Sequence, residues 1–272
     1  MKPIVFLGGG RITAALLAGL QLARYRRPIL VYDRHPSKLR QLKKVYRVAT
    51  EHDLHRAIAQ ARLLVVAVRP GSVAELLRAA GKLDRPLAAV SLAAGVPLAN
   101  LRGSCGRGVR WARAMPSPLC RSRRGLTALS FDRRFPSASR HEVEHLFAQV
   151  GLTIEIPERQ MDAFTVTYSA SHGYHALATL IAAAEQIGLN RRTAITAATH
   201  ALADAITNCR DGHLSLAGLL DEAATPGGTA AAVMEAMDRH GYGRAVREGL
   251  RAGLKRAREN ARKKQVSRFR SG

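Results

Sequence analysis

The chain has 272 residues, 47% hydrophobic and 23% charged, with 23 glycines, 11 prolines and a formal net charge of +23. These proportions exclude collagen, low-complexity disorder and a disulfide-stapled miniprotein, and the length suffices for one large or two modest cores. No apolar run approaches the ~20 residues of a bilayer span, and three cysteines without a CxxC pair offer neither a disulfide framework nor a zinc knuckle. Met1-Lys2-Pro3, running into Ile4–Leu7 and three glycines, is too short for a signal peptide, so a soluble, cytoplasmic protein is expected.

The positive charge is uneven. Nine Lys or Arg stand against the single acid Glu259 between Arg251 and Gly272, and the rest is spread as arginine over polar faces. Only 5% of residues are aromatic and no zinc-finger spacing occurs, so base-stacking and groove-reading modules are missing. Small anionic ligands are the expected partners; nucleic acid and membrane are not.

Strand-like segments come first at Ile4–Leu7, Ile29–Tyr32, Leu63–Val68, Leu87–Leu92, Gly108–Ala112, Thr127–Phe131 and Thr153–Ile156. Amphipathic stretches lie between several of them, at Ile12–Tyr25, Ser37–Lys44, Asp53–Ala61, Ser72–Ala80 and Ser137–Val150. Short apolar strands separated by helical stretches predict βαβ units and a parallel sheet, whose ligands bind at the carboxyl ends of the strands. From about Met161 a 3.6-residue period takes over. Leu177, Leu180, Ile181, Ala184 and Ile187 form one helical face, Gly188 stops it and Asn190 starts the next, with Ile195, Leu202 and Ile206. Further helices are predicted from Thr229 to Gly241 and from Tyr242 towards Arg258.

Ile4-Val5-Phe6-Leu7-Gly8-Gly9-Gly10-Arg11-Ile12-Thr13 reads as strand, glycine turn and helix. Gly8 allows the tight turn, Gly10 lets a pyrophosphate approach the backbone, and the helix start at Arg11 and Ile12 offers unpaired N–H groups and partial positive charge. Thr13 takes the place of the third glycine of G-x-G-x-x-G, so the helix either stands off the strand or turns Thr13 elsewhere. Asp33 follows the second strand, where an acid hydrogen-bonds a ribose and favours NADH; it can also turn away to cap the helix near Pro36. Arg34, with Lys38 and Arg40, attracts a 2′-phosphate and favours NADPH. The fold class predicted is α/β: an N-terminal Rossmann-type dinucleotide-binding domain over residues 1–158, an all-helical domain over 159–260, and a basic, disordered tail over 261–272.

Further segments carry a family resemblance. Ala67-Val68-Arg69-Pro70 ends one strand, Ser91-Leu92-Ala93-Ala94-Gly95-Val96 ends the next, and Arg113-Ala114-Met115-Pro116-Ser117-Pro118 follows another. In the second half stands Ala224-Thr225-Pro226-Gly227-Gly228-Thr229-Ala230. In this order the segments resemble the AVKP, S-x-AAG, R-x-MPN and TSPGGTT strings of pyrroline-5-carboxylate reductases, along nearly the whole chain. The resemblance implies reduction of a cyclic imino acid to proline with NADPH or NADH, and a homodimer interlocked through the C-terminal helices. It also implies cofactor contacts at Gly8, Gly10, Arg11, Ile12, Asp33, Arg34, Ala67, Val68, Arg69, Pro70, Ala94, Gly95, Met115 and Pro116. On the substrate side it implies Ser117, Tyr174, Thr225, Gly227, Gly228 and Thr229.

The chain departs from that pattern where the pocket is expected. GSGPAY is matched by Ser169-Ala170-Ser171-His172-Gly173-Tyr174, which loses a serine at Ala170 and a proline at His172; Ala230 replaces the last threonine of TSPGGTT. Lost donors of this kind typically cost ~3 kcal/mol each at a reacting centre. They leave open a different imine or keto substrate, or a homologue that binds dinucleotide without turnover. His172 supplies a new general acid and joins Thr229 as a catalytic candidate. Arg113 either closes the cofactor side or pairs with a helix end, and no metal site is expected from His172 and His175. His200 and His213 read as polar-face residues.

Overall fold

The computed structural model describes residues 1–212 and 214–262. His213 and residues 263–272, which include most of the expected basic tail, lie outside the described residues. The described chain divides into two compact units, one of residues 1–166 with the chain from Gly253 onward, the other of residues 167–252.

In the first unit eight strands, β1 (Ile4–Leu7), β2 (Ile29–Tyr32), β3 (Ala49–Glu51), β4 (Leu63–Val66), β5 (Leu87–Ser91), β6 (Val109–Pro116), β7 (Gly125–Phe131) and β8 (Gly151–Glu155), form one sheet in the order β3-β2-β1-β4-β5-β6-β7-β8. Helices α1 (Arg11–Leu22), α2 (Pro36–Tyr46), α3 (Leu54–Gln60), α4 (Pro70–Ala80), α5 (Leu98–Leu101) and α6 (Ser137–Ala148) connect the strands, and α7 (Met161–Thr167) follows β8. The first strands are apolar throughout because both faces are covered. Ile4 and Phe6 enter one core with Leu16, Leu20 and Phe147, whereas Val5 and Leu7 enter the other with Val66, Leu77 and Trp111. The order reverses between β1 and β4, and that switch point is where such sheets open a crevice.

Two expectations need correction. The sheet is not parallel throughout, for β7 runs antiparallel to β6, with Ala112 opposite Phe131 and Pro116 opposite Thr127. The link between them holds only a 3₁₀ turn, Pro118–Ser122, too short for the crossover that a parallel neighbour needs. The strand expected at Gly108–Ala112 also continues to Pro116, since β7 gives the Met115-Pro116 backbone a partner.

That 3₁₀ turn lies under α1. A Cβ on Gly19 would sit 2.0 Å from the carbonyl oxygen of Cys120, so the close approach of helix to turn depends on glycine at this position. Burial there pushes the Cys120 thiol up to about 11, which leaves it an unreactive packing group.

The second unit holds α8 (Ala170–Gln186), α9 (Arg191–Asp211), α10 (Leu216–Ala223), α11 (Thr229–Arg239) and the start of α12 (Tyr242–Arg262). Ser169 caps α8 through the Ser171 N–H, and Asn190 caps α9 through the Thr193 N–H at 3.0 Å. Of its apolar residues, Ala194 and Ala198 are buried, while Leu180, Ile187, Ile195, Ile206, Leu220 and Val233 stay exposed. Among the described residues no helix is long and apolar enough to cross a membrane.

Gly19→Ala is expected to destabilise the fold by about 2 kcal/mol, because the new methyl meets backbone rather than a side chain that can yield. A lowered urea midpoint with an unchanged slope would show it.

Candidate functional site

The glycine turn is held on three sides. Gly8 has φ +118°, a conformation open to glycine, and its N–H donates to the Tyr32 carbonyl at 2.8 Å. A Cβ here would lie 2.8 Å from the Ala67 carbonyl oxygen, so the turn is wedged between the ends of β2 and β4. The Thr13 hydroxyl, fully buried, donates to the Gly8 carbonyl at 2.5 Å. The replacement of the third glycine is thereby explained: Thr13 points inward and ties the helix to the turn.

Gly10 is the N-cap of α1 and has no side-chain cap, and a Cβ on it would meet nothing within 4 Å. The first helical bond runs from the Ala14 N–H to the Gly10 carbonyl at 3.0 Å, so the amides of Arg11, Ile12 and Thr13 precede the helix ladder. Open space in front of amides at a positive helix end is what a pyrophosphate requires, and the residues present fit a dinucleotide.

Other expected cofactor residues collect along the same carboxyl edge. Beyond β4, the Ala67 N–H donates to Leu7 at 2.9 Å, Val68 packs beside Gly8, and exposed Arg69 is the N-cap before Pro70 opens α4. Beyond β5, Ala94 leads to Gly95, whose φ of +73° and close approach to the Ala257 carbonyl, 2.3 Å from a Cβ at this position, leave room for no side chain. Met115 and Pro116 end β6, and the buried Ser117 hydroxyl accepts the Leu119 N–H at 3.1 Å, capping the turn that follows.

Asp33 and Arg113 take positions that the sequence left open. Asp33 does not cap α2, whose N-cap is His35; its carboxylate accepts the Gly9 N–H at 2.8 Å and the His35 N–H at 2.9 Å. Arg113, 2% exposed, pairs with Asp162 at 2.9 Å and Glu158 at 3.7 Å. Its partners stand in the first turn of α7 (Asp162) and in the 3₁₀ turn before it (Glu158) rather than at a helix C-terminus, and Glu158 also accepts the Leu98 N–H at 2.5 Å. Arg113 is therefore a structural tie between β6 and the segment after β8. Glu158 and Asp162 carried no motif, and only their contact with a buried arginine reveals them.

In the second unit, Thr225, Gly227, Gly228 and Thr229 form the entry to α11. Gly228, not Thr229, is the N-cap, without a side-chain cap, and its N–H donates to the Thr225 carbonyl at 2.9 Å. A Cβ on Gly228 would lie 2.5 Å from the Thr225 hydroxyl, so glycine keeps that hydroxyl close. The amides of Thr229, Ala230 and Ala231 precede the first helical bond, from Ala232 to Gly228 at 3.2 Å. His172 and Tyr174 stand in the first turns of α8, both exposed, Tyr174 at 72%. Among the described residues no group of three or more His, Cys, Asp or Glu is placed to hold a metal.

Comparison with known proteins matches both halves. Residues 3–95 match the family model for NADP oxidoreductases, coenzyme F420-dependent, and residues 158–260 match that for pyrroline-5-carboxylate reductase dimerisation. Fold and matches together define an NAD(P)H-dependent oxidoreductase with a helical dimerisation domain. A pyrroline-5-carboxylate reductase of Mycobacterium tuberculosis is 28% identical over 286 residues, covering 95% of this chain and 97% of the relative. The solved pyrroline-5-carboxylate reductase from Coxiella burnetii, 24% identical, shares the fold with a TM-score of 0.84 over 96% of this chain and 98% of that one. The Plasmodium falciparum pyrroline carboxylate reductase, solved with NADP bound, does so at 18% identity, a TM-score of 0.82 and the same coverage. Along nearly its whole length the chain is similar to pyrroline-5-carboxylate reductases.

Gly10→Ala separates fold from site. With nothing within 4 Å of the added methyl, stability is expected to change by no more than about 0.5 kcal/mol. The methyl would fill the space before the helix amides, and dinucleotide affinity is expected to fall about tenfold or more, read by fluorescence titration.

Proposed function

We propose that the chain reduces the C=N bond of a small cyclic imino acid, pyrroline-5-carboxylate or a close analogue, with NADPH or NADH as hydride donor. The observation that carries this is the wedged glycine turn, open at Gly10 and backed by unpaired amides, in a chain whose helical half matches the pyrroline-5-carboxylate reductase dimerisation model. A bound reduced nicotinamide supplies hydride; the protein supplies binding and orientation. Arg11 and Ile12 hold the pyrophosphate through their amides and Asp33 and Arg34 lie at the adenosine end. Ala67, Val68, Arg69, Pro70, Ala94, Gly95, Met115 and Pro116 line the edge beyond.

Thr225, Gly227, Gly228 and Thr229 hold the substrate carboxylate at the start of α11, where helix amides and dipole favour an anion. Tyr174 joins them as a substrate residue, and Ser117 is the substrate residue proposed in the first unit. Reduction of C=N also needs a proton at nitrogen, and His172 delivers it from its imidazole. The protein works in the cytoplasm as a homodimer or higher homo-oligomer. The apolar residues left exposed on α8, α9, α10 and α11 support assembly through these helices. Light scattering is expected to give at least twice the chain mass; a monomer would refute the assembly.

Ala170 and Ala230 favour a second reading, in which the pocket takes a different imine or keto compound, because neither carries the hydroxyl of the family pattern. Following nicotinamide absorbance with pyrroline-5-carboxylate, then with a panel of other imines, separates the two. Turnover of pyrroline-5-carboxylate is expected, lowered about tenfold in kcat/KM by Thr229→Ala and about a hundredfold by His172→Ala. Turnover confined to another imine selects the second reading, and cofactor binding without any turnover makes the protein a non-catalytic homologue.

A further inference from the structure

Helix α12 gathers its positive charge on one side. Arg244, Arg247, Arg251, Lys255 and Arg258 are all exposed, and none of them forms an ion pair among the described residues. At about 100° per residue these positions fall within about 80° of arc, and they extend over about 21 Å of helix axis. The acids among the described side chains of α12 are Glu248, on the flank of the stripe, and Glu259, which Arg256 pairs at 3.5 Å. Val246, Leu250, Leu254 and Ala257 fall on the adjoining face and are half-buried. On that side a Cβ on Gly253 would lie 3.4 Å from Val166, and the Ala257 carbonyl stands against Gly95.

We infer that this stripe is a docking surface for the phosphate backbone of nucleic acid, bound without regard to base sequence. Guanidinium groups in a row meet backbone phosphates with charge-assisted, bidentate hydrogen bonds, and release of condensed counterions drives the association. The missing aromatics and groove-reading modules exclude recognition of sequence, whereas phosphate contacts need neither. The net charge of +23 attracts any polyanion; the stripe gives that attraction a place. Other occupants fit less well. An anionic membrane holds an amphipathic helix by its apolar face, and here that face is covered by Val166 and the backbone at Gly95. A second copy would present a stripe of the same sign, and like charges opposed across an interface repel. In the sequence Lys263, Lys264, Arg268 and Arg270 follow, so the positive charge continues past the described part of α12.

Fluorescence anisotropy of the full chain with labelled duplexes of about 24 base pairs, in two unrelated sequences, tests this. Both are expected to bind equally at low salt, with log K falling against log salt at a slope of about −4, as five phosphate contacts require. The variant Arg247→Gln/Arg251→Gln/Lys255→Gln/Arg258→Gln is expected to bind about tenfold more weakly or worse, with a slope of about −1. Arg26→Gln/Lys43→Gln/Lys44→Gln/Arg107→Gln removes the same charge from exposed positions of the first unit, and is expected to weaken binding by less than about threefold. Thermal unfolding reports whether each variant is folded; should the first one not be, Arg251→Gln alone is expected to weaken binding about threefold. Phosphatidylserine vesicles and a polyglutamate peptide are titrated alongside. Failure of both duplexes to bind, a clear preference for one sequence, equal weakening in the two fourfold variants, or binding of vesicles or peptide without binding of the duplexes would each overturn the inference.

Discussion

The wedge of Gly8 between β2 and β4 is the constraint on which the first unit depends. Its amide is bonded to the end of β2, its missing side chain makes room for the backbone at the end of β4, and its carbonyl receives the Thr13 hydroxyl. Three elements are therefore fixed at one residue, which lies at the switch point of the strand order. The direction of α1 follows from this fixing, and with it the direction in which its unpaired amides point. Farther along the same helix, Gly19 lets the 3₁₀ turn after β6 approach, so Met115 and Pro116 are positioned by the helix that the glycine turn launches.

Much of this was legible in the residues. A four-residue apolar strand followed by three glycines can hardly be anything but a buried strand and a turn, and the helical half shows its period plainly because its loops are marked by Gly188, Asn190 and Gly241. What could not be read has physical causes. Ala49–Glu51 pairs only at the sheet edge and lacks an apolar face to announce it. The reversal of β7 is dictated by the length of a link, which carries no periodicity. The eight residues Leu216–Ala223 are too few to establish a helical stripe of their own. At the site, an acid after a strand looks the same whether it caps the next helix or accepts from the glycine turn, and only the Gly9 and His35 amides on Asp33 show the latter. Arg113 was equally ambiguous until its acidic partners, remote in sequence, were brought beside it.

The two units invest their apolar residues differently. In the first, β1, β4 and β5 are buried on both faces and the cores close within the chain. In the second, two alanines of α9 are buried while larger leucines, isoleucines and valines remain outside. Helices gain most of their stability from covering such a face. A unit built this way is completed by association, in keeping with the dimerisation model that its residues match.

The first unit is also discontinuous, since the chain returns to it from Gly253 and sets the Ala257 carbonyl against Gly95. Synthesis from the N-terminus therefore produces the whole sheet well before the last helix that covers this corner exists. Contacts so distant in sequence form late, because a long loop must close before they contribute. Gly95 meets its covering backbone only once the chain has passed residue 257, and until then the nascent first unit, though its strands are all present, is an unfinished fold awaiting its own C-terminus.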